Sequence, residues 1–450
     1  MSKLKHRTLS AGVVDTALAS LATFLVGLFA IRRLSPAALG AYALAFTAVS
    51  LAGIIPAQLL FAPLEVAAVS RPASGRLRFL RATLRLALLP TLSVGLLVAG
   101  WTPFAPKEVP GPVILGLTVT GIVFAGLSPV QDHVRSMLHI AGQSWIAATV
   151  STIHVLVVVV GILLFLETGI PPWWCPFGVL AVANLVSLAA GVAMGRGREP
   201  APSSASVSTT AAASPPDPRF RDVSRLGGWL LLVGLIPNVA TFFASALVAR
   251  LAGAAMLGYA EAARLVAMPM LVVARGLSAV LGPRLMDAAR LRDRSAAHQL
   301  SALFVRLMVG GGALYFVVVG HDWVLSPFAW LTPKAYRLAG LVALAVISHI
   351  LQGLAYPGRV QMMGTHQGAA LAKLEVLINA LRIALAPLAA LIGPYIIPLS
   401  DSMMALMRVT AYGIKMKAHF ASVNMDEGEG EPTRPERDDA ANLLAARPSA

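Results

Sequence analysis

The run Ala11-Gly-Val-Val-Asp15-Thr-Ala-Leu-Ala-Ser20-Leu-Ala-Thr-Phe-Leu25-Val-Gly-Leu-Phe-Ala30-Ile31 carries a single charge and stops at Arg32-Arg33. A helix needs about 20 apolar residues to cross a hydrocarbon core about 30 Å thick, so this stretch can span a bilayer. A basic start, with Lys3, Lys5 and Arg7, precedes it as in a signal peptide. The apolar run outlasts a signal core, however, and no small-residue cleavage site follows, so it reads as a permanent first span.

Working outward from it, eleven further runs have the same character: 38–61, 82–101, 111–130, 145–166, 176–195, 226–249, 254–282, 301–320, 338–356, 369–392 and 394–413. The composition agrees. Of the 450 residues 57% are hydrophobic and only 13% charged, with mean hydropathy +0.74, where a soluble chain carries roughly a quarter charged residues. The expected fold is an all-α polytopic membrane protein of about 12 transmembrane helices, with eleven to thirteen spans allowed by the long eighth run and the close-set last pair. A Ser/Ala/Thr/Pro-rich stretch, 199–218, cannot bury a core and reads as a linker. The expected division is therefore a first six-helix bundle at 1–195, a linker at 196–225, a second bundle at 226–417 and a disordered tail at 418–450.

The net charge of +15 lies in short segments between apolar runs, which argues for the positive-inside bias and against a nucleic-acid partner. Alternate segments carry Lys3, Lys5, Arg7, then Arg71, Arg76, Arg78, Arg81, then Arg196, Arg198, Arg219, Arg221, Arg225, then Arg284, Arg290, Arg292, Arg294, and finally Lys415 and Lys417. This places both termini in the cytoplasm of a plasma membrane, with Arg32 and Arg33 running against the bias. All seven tryptophans fall near expected span ends, where indole rings favour the headgroup level. The single Cys175 excludes an intrachain disulfide.

The chain also repeats itself. Arg33-Leu-Ser-Pro-Ala-Ala-Leu-Gly-Ala-Tyr-Ala43 follows the first span, and Arg250-Leu-Ala-Gly-Ala-Ala-Met-Leu-Gly-Tyr-Ala260 follows the seventh. A weaker echo joins Pro63-Leu-Glu-Val-Ala-Ala68 and Pro283-Arg-Leu-Met-Asp-Ala-Ala289. Six spans per half give the halves one topology, so they are expected to be parallel repeats about an axis along the membrane normal, with a ligand cleft between them.

Charges inside spans are costly, about 2.5–3.5 kcal/mol each at mid-helix, and so mark candidate sites. Glu261, Arg264, Met268 and Arg275 fall within about 60° on one helix, as do Glu375, Asn379 and Arg382 on another. Asp15 lies one turn into the first span and Asp401 in the last. The expected substrate-binding set is Asp15, Glu261, Arg264, Arg275, Glu375, Asn379 and Arg382. Stripes of mixed sign suit a large polar substrate carrying phosphate, which Arg holds with paired hydrogen bonds. No nucleophile elbow, Walker loop or zinc-protease motif occurs, so no enzyme activity, cofactor or metal is expected. His133 and His139, beside Asp132, read as a titrating surface pair. Gly191-x-x-x-Gly195 and Gly310-Gly-Gly312 read as close helix contacts.

The segment Gly27-Leu-Phe-Ala-Ile-Arg-Arg-Leu-Ser-Pro-Ala-Ala-Leu-Gly-Ala-Tyr-Ala-Leu-Ala45 resembles the start of the polysaccharide (O-antigen type) flippases of the MATE-like superfamily. Their first-loop pattern, R-x-L-x-P-x-x-x-G-x-Y, is met by Arg32, Leu34, Pro36, Gly40 and Tyr42. The close, Leu388-Ala-Ala-Leu-Ile-Gly-Pro-Tyr-Ile-Ile-Pro-Leu-Ser400 with Lys415 and Lys417 behind it, looks like their last helix pair. In the second-half echo Gly253 stands for the proline. The resemblance implies two six-helix bundles in a V around a cationic cavity, and work on a polyprenyl-diphosphate-linked oligosaccharide carried between leaflets of a bacterial plasma membrane by alternating access. In that picture Arg264, Arg275 and Arg382 neutralise the diphosphate, while Glu261, Glu375 and Asp15 take sugar hydroxyls or a coupling cation. The partners expected are the lipid-linked substrate, the lipid bilayer and polysaccharide-assembly proteins. A cation-coupled exporter of small drugs or metabolites is the alternative. A glycan polymerase or ligase fits less well, because the longest outer segment, 321–337, is short.

Overall fold

The computed structural model describes residues 3–69, 73–196, 220–320, 323, 326–365 and 367–426. These form helices α1 (Lys3–Arg33), α2 (Pro36–Pro56), α3 (Ala62–Val69), α4 (Ala73–Gly95), α5 (Gly111–Ile140), α6 (Ser144–Glu167), α7 (Cys175–Arg196), α8 (Phe220–Leu251), α9 (Ala254–Arg290), α10 (Arg294–Val319), α11 (Phe328–Leu331), α12 (Leu341–Leu354), α13 (Tyr356–Gly364), α14 (Gly368–Leu385), α15 (Ala389–Ile392) and α16 (Ile396–Asp426). No strand occurs among the described residues.

Eleven helical stretches among them are long and apolar enough to cross a membrane. The last, Gly368–Ala421, runs for 54 residues, about 80 Å at 1.5 Å per residue, which is too long for one crossing. It breaks at Gly393, whose φ of +59° needs a residue without a Cβ, and so divides into α14 and α16. That gives twelve crossings. Large apolar side chains cover the outside, with Leu89, Leu314 and Leu391 each more than two-thirds exposed. An exterior of this kind needs hydrocarbon around it.

Two helices run into stretches expected to be linker or tail. α8 already begins at Phe220, inside the expected linker, and α16 runs on to Asp426, inside the expected tail. The remaining linker and tail residues, with Arg71, Arg198, Arg219 and His321, lie outside the described residues. Trp101 is not a headgroup anchor. It is fully buried, and its indole Nε1 donates to Thr118 Oγ1 at 2.9 Å.

In the first half of the chain α6 packs on α1 and α7, and α5 on α4 and α7; in the second, α9 gathers α10, α12 and α13, while α14 lies against α8 and α16. The halves meet most extensively where α2 crosses α9, and the repeated motif lies at that crossing. A Cβ on Gly40 would stand 1.9 Å from Ala254 O, and one on Gly258 would stand 2.0 Å from Pro36 O. The contact is reciprocal: each glycine receives the carbonyl four residues before the other. This register pairs Pro36 with Ala254 and the α2 cap Ser35 with Gly253, one residue away from the sequence alignment. Ser35 caps α2 by accepting from Ala38 N, and Gly253 starts α9 with φ +93°.

Further ties close this end of the bundle, opposite the termini. Tyr336 OH donates to Leu34 O at 2.7 Å, and Glu108 Oε1 accepts from Ala254 N at 2.6 Å. Arg32 donates to Trp330 O at 2.5 Å with its guanidinium 4.9 Å above the indole ring. Arg32 is thus held by a cross-half contact, which accounts for a cation against the expected bias. At the terminal face the halves meet where Gly227 of α8 rests on Leu59 O, 2.4 Å from its would-be Cβ.

Candidate functional site

The charges expected from the sequence line adjoining cavities, three between the two halves and one within the second half. A cavity of about 490 Å³ has α1, α5, α6 and α7 on one side and Arg264, Met268 and Arg275 of α9 on the other. It shares Phe46, Ser50 and Arg264 with a second, of about 220 Å³, bounded by α2, α8, α9, α14 and α16. It shares Leu271 and Arg275 with a third, of about 180 Å³, which holds Arg359, Glu375, Arg408 and Tyr412. Thr16, Asp132 and Arg135 continue it into a fourth, of about 450 Å³, reaching His139 and Val280 towards the terminal face.

Most of the charges are neutralised pairwise. On α9, Arg264 straddles Glu261, with Nε at 2.7 Å and Nη2 at 2.6 Å from its two oxygens. The i,i+3 spacing on one helix makes this a local, two-pronged pair. On α14 the expected stripe divides. Glu375 accepts from Arg408 Nε (3.0 Å) and Nη2 (2.8 Å), Tyr412 OH (2.5 Å) and Asn379 Nδ2 (3.0 Å). Arg382, two turns on, instead donates to Thr241 Oγ1 at 2.6 Å and pairs with Asp401.

In the first half Asp15 is buried, and protein groups occupy both its oxygens. Arg135 donates from Nε at 3.1 Å and Nη2 at 2.6 Å, Ser151 Oγ from 2.5 Å, and His139 Nε2 lies 3.0 Å away. Arg135 also reaches the exposed Asp132 at 3.1 Å. Two guanidiniums differ from the rest: Arg275 and Arg359 are exposed and have no hydrogen-bond or ion-pair partner among the described residues, and both face the cavity that holds Glu375. Among the described residues four guanidiniums thus meet five carboxylates along these cavities, and Arg275 and Arg359 are the two without a carboxylate.

Sequence reasoning placed Glu261, Arg264, Arg275 and Arg382 on this cleft, and missed Arg135, Arg359, Arg408 and Tyr412. A signal for two of them was present. Arg135, Gln143 and Ser151 follow one another at eight-residue intervals, as do Arg359, Gln367 and Glu375. In each case the arginine lies in the helix before the turn, the glutamine stands at the N-cap position of the next helix without a capping side-chain bond, and the third residue is two turns into it. His133 and His139 are not a surface pair. His133 is fully buried against Glu65, and His139 belongs to the Asp15 cluster.

A bundle of twelve apolar crossings with a charged cleft between like halves is the architecture of a polytopic membrane protein. No family model and no curated protein matches the sequence. Solved structures do match, over almost the whole chain. The outward-facing form of a multidrug resistance MATE family transporter of the MOP superfamily superposes with a TM-score of 0.62 at 14% identity, covering 94% of this chain and 96% of that one. Its inward-facing counterpart gives 0.62 at 15% identity, over 93% and 96%. A MOP superfamily transporter from Pyrococcus furiosus, described as having a binding pocket of reversed polarity, gives 0.61 at 14%, over 93% and 96%. At these identities the likeness is one of fold: the chain has the fold of MATE transporters.

Proposed function

We propose that the protein is a membrane transporter that works by alternating access and that its substrate is a lipid-linked saccharide carried on a diphosphate. The observation that carries this reading is the pair of unpartnered guanidiniums, Arg275 and Arg359, on cavities whose other guanidiniums each meet a carboxylate. An exposed Arg without a carboxylate is free to take an anion, and a phosphate oxyanion is the partner that its planar fork fits best. The transporter class is supported by the fold, whose neighbours have been captured facing both sides of the membrane. In this reading the two halves rock about the α2/α9 crossing, Arg264 and Arg382 border the same cleft, and Glu261, Glu375, Asn379 and the Asp15 cluster shape its polar wall. Both termini lie on the cytoplasmic side of a bacterial plasma membrane, following the basic segments.

The test is direct binding and transport. Full-length protein in nanodiscs is titrated with inorganic pyrophosphate, and flipping of a fluorescent polyprenyl-diphosphate saccharide is followed in proteoliposomes. The expected result is that Arg275→Ala with Arg359→Ala weakens pyrophosphate binding about 100-fold, two lost charge-assisted contacts, and slows flipping to match. Undiminished flipping by the well-folded double variant sinks the substrate assignment. The multidrug transporters among the fold neighbours favour one other reading, export of small drugs. Efflux of cationic dyes, with no response to pyrophosphate, selects it.

A further inference from the structure

The turn that joins α2 to α3 is a π-turn, Ala57–Phe61, in which Ala62 N–H bonds Ala57 O five residues back. Single π-turns inside helices are strained and concentrate at functional places. Three contacts converge on this one. From α8, Gly227 presses on Leu59 O, making the terminal-face contact between the halves. From α5, the His133 ring stacks on Phe61 with centroids 4.4 Å apart at 17°. One turn along in α3, Glu65 Oε1 lies 2.8 Å from His133 Nδ1.

His133 is buried at 1% exposure, and its Nε2 has no hydrogen-bond partner among the described residues. An ionised carboxylate can only accept, so Nδ1 carries the hydrogen donated to Glu65 and Nε2 carries a bare lone pair. That lone pair is the buried vacant basic position in the dyad, the free Oε2 of Glu65 being on a partly exposed side chain. A proton arriving there forms an N–H bond and breaks none, turning a neutral imidazole beside a carboxylate into an imidazolium–carboxylate pair. The new N–H is buried without an acceptor, an unfavourable state unless something moves. Phe61 covers the ring and belongs to the π-turn, so the movement that gives Nε2–H an acceptor passes into α2.

We propose that Glu65 and His133 are a proton site that sets the geometry of the α2 π-turn, and through Leu59 and Gly227 the contact of the two halves at the terminal face. The role in coupling rests on the transport reading above; the site itself does not. Around it, among the described residues, α5 contributes Asp132 and Arg135, with Asp15 of α1 beyond Arg135, α4 contributes Arg76 and Arg81, and α8 presents Gly227. Among the described residues, α7 meets this region through apolar Leu188, Val192 and Met194.

The experiment is hydrogen–deuterium exchange on the full chain in nanodiscs without substrate, following peptides that cover 57–65 and 224–234 at about pH 5.5 and pH 8, either side of the usual histidine range. Rates are corrected for the intrinsic pH dependence of exchange. The expected result is a change of about tenfold in both peptides in the unmodified chain, the size of a local opening shifted by one proton. The change is abolished in Glu65→Gln and in His133→Gln. A pH-independent rate in the unmodified chain overturns the proposal, whatever the variants do. So does an undiminished pH response in both variants. Because no substrate is present, failure here leaves the saccharide reading standing, and failure of the pyrophosphate titration leaves the proton site standing.

Discussion

The two halves use the same register for different ends. In the first, Arg135 of α5, Gln143 at the cap of α6 and Ser151 within α6 stand eight residues apart; in the second, Arg359 of α13, Gln367 at the cap of α14 and Glu375 within α14 do the same. In the first half the third position is a serine, so the carboxylate that meets Arg135 comes from another helix, Asp15 of α1. In the second the third position is itself the acid, and it takes its arginine from α16, Arg408, leaving Arg359 without a partner. One substitution in a common frame, serine against glutamate, decides which arginine is held in an ion pair and which stays available to a ligand. The first cluster is built to hold helices together, and the second to hold helices and present a charge.

The largest effect follows from breaking the first cluster. Arg135→Ala leaves Asp15 buried with Ser151 and His139 as its remaining partners. Removing one member of a buried pair costs about 3–5 kcal/mol, because the other charge stays desolvated. Cys175 is the single cysteine and is fully buried, so its reaction with a fluorogenic thiol reagent during a thermal ramp reports unfolding. The expected outcome is a marked fall in Tm, restored in large part by Asp15→Asn in the same chain. No fall, or no restoration, would show that the first cluster carries no structural burden.

How much of this was legible follows from the range of each signal. The spans were legible because hydropathy is local and the bilayer imposes one length on every helix. The Leu-Gly echo was legible as a motif, but that Gly40 and Gly258 press on each other across α2 and α9 was not, since two short patterns carry no information about facing. The charge stripe on α14 was legible as a face, yet Glu375 and Arg382 are far enough along it to meet different neighbours, Arg408 in one case and Asp401 in the other. Asp15 was seen as an isolated carboxylate because its partner is 120 residues away in the chain. Buried charges find partners between helices, and a single sequence reports only neighbours within one.

The second cluster should yield more gently. With Arg408→Ala, Glu375 keeps the hydrogen bonds from Tyr412 and Asn379, and Arg359 faces the same cavity. The expected loss is about 1–3 kcal/mol, the cost of one charge-assisted partner where others remain. The same thermal ramp compares it directly with Arg135→Ala. A loss as large as the Arg135 variant's would mean that Arg359 cannot stand in, and the asymmetry between the halves would be one of position only.

The smallest effect is the most discriminating. Arg359→Gln removes a guanidinium that bonds nothing, so stability is expected to stay within about 0.5 kcal/mol of the unmodified chain. Its removal takes a repulsive neighbour from Arg408 and Arg275 but also an attractive one from Glu375 in the same cavity, so the two effects oppose and the net change should be small. Arg135→Gln, at the matching place in the first half, should by the same measurement be clearly destabilising, because a neutral amide cannot neutralise Asp15. If the two glutamine variants behave alike, the shared register dictates a shared role, and the serine-for-glutamate exchange between Ser151 and Glu375 has no consequence. If only the first is destabilising, the first arginine is structural and the second is held in reserve for an anion that enters the cleft.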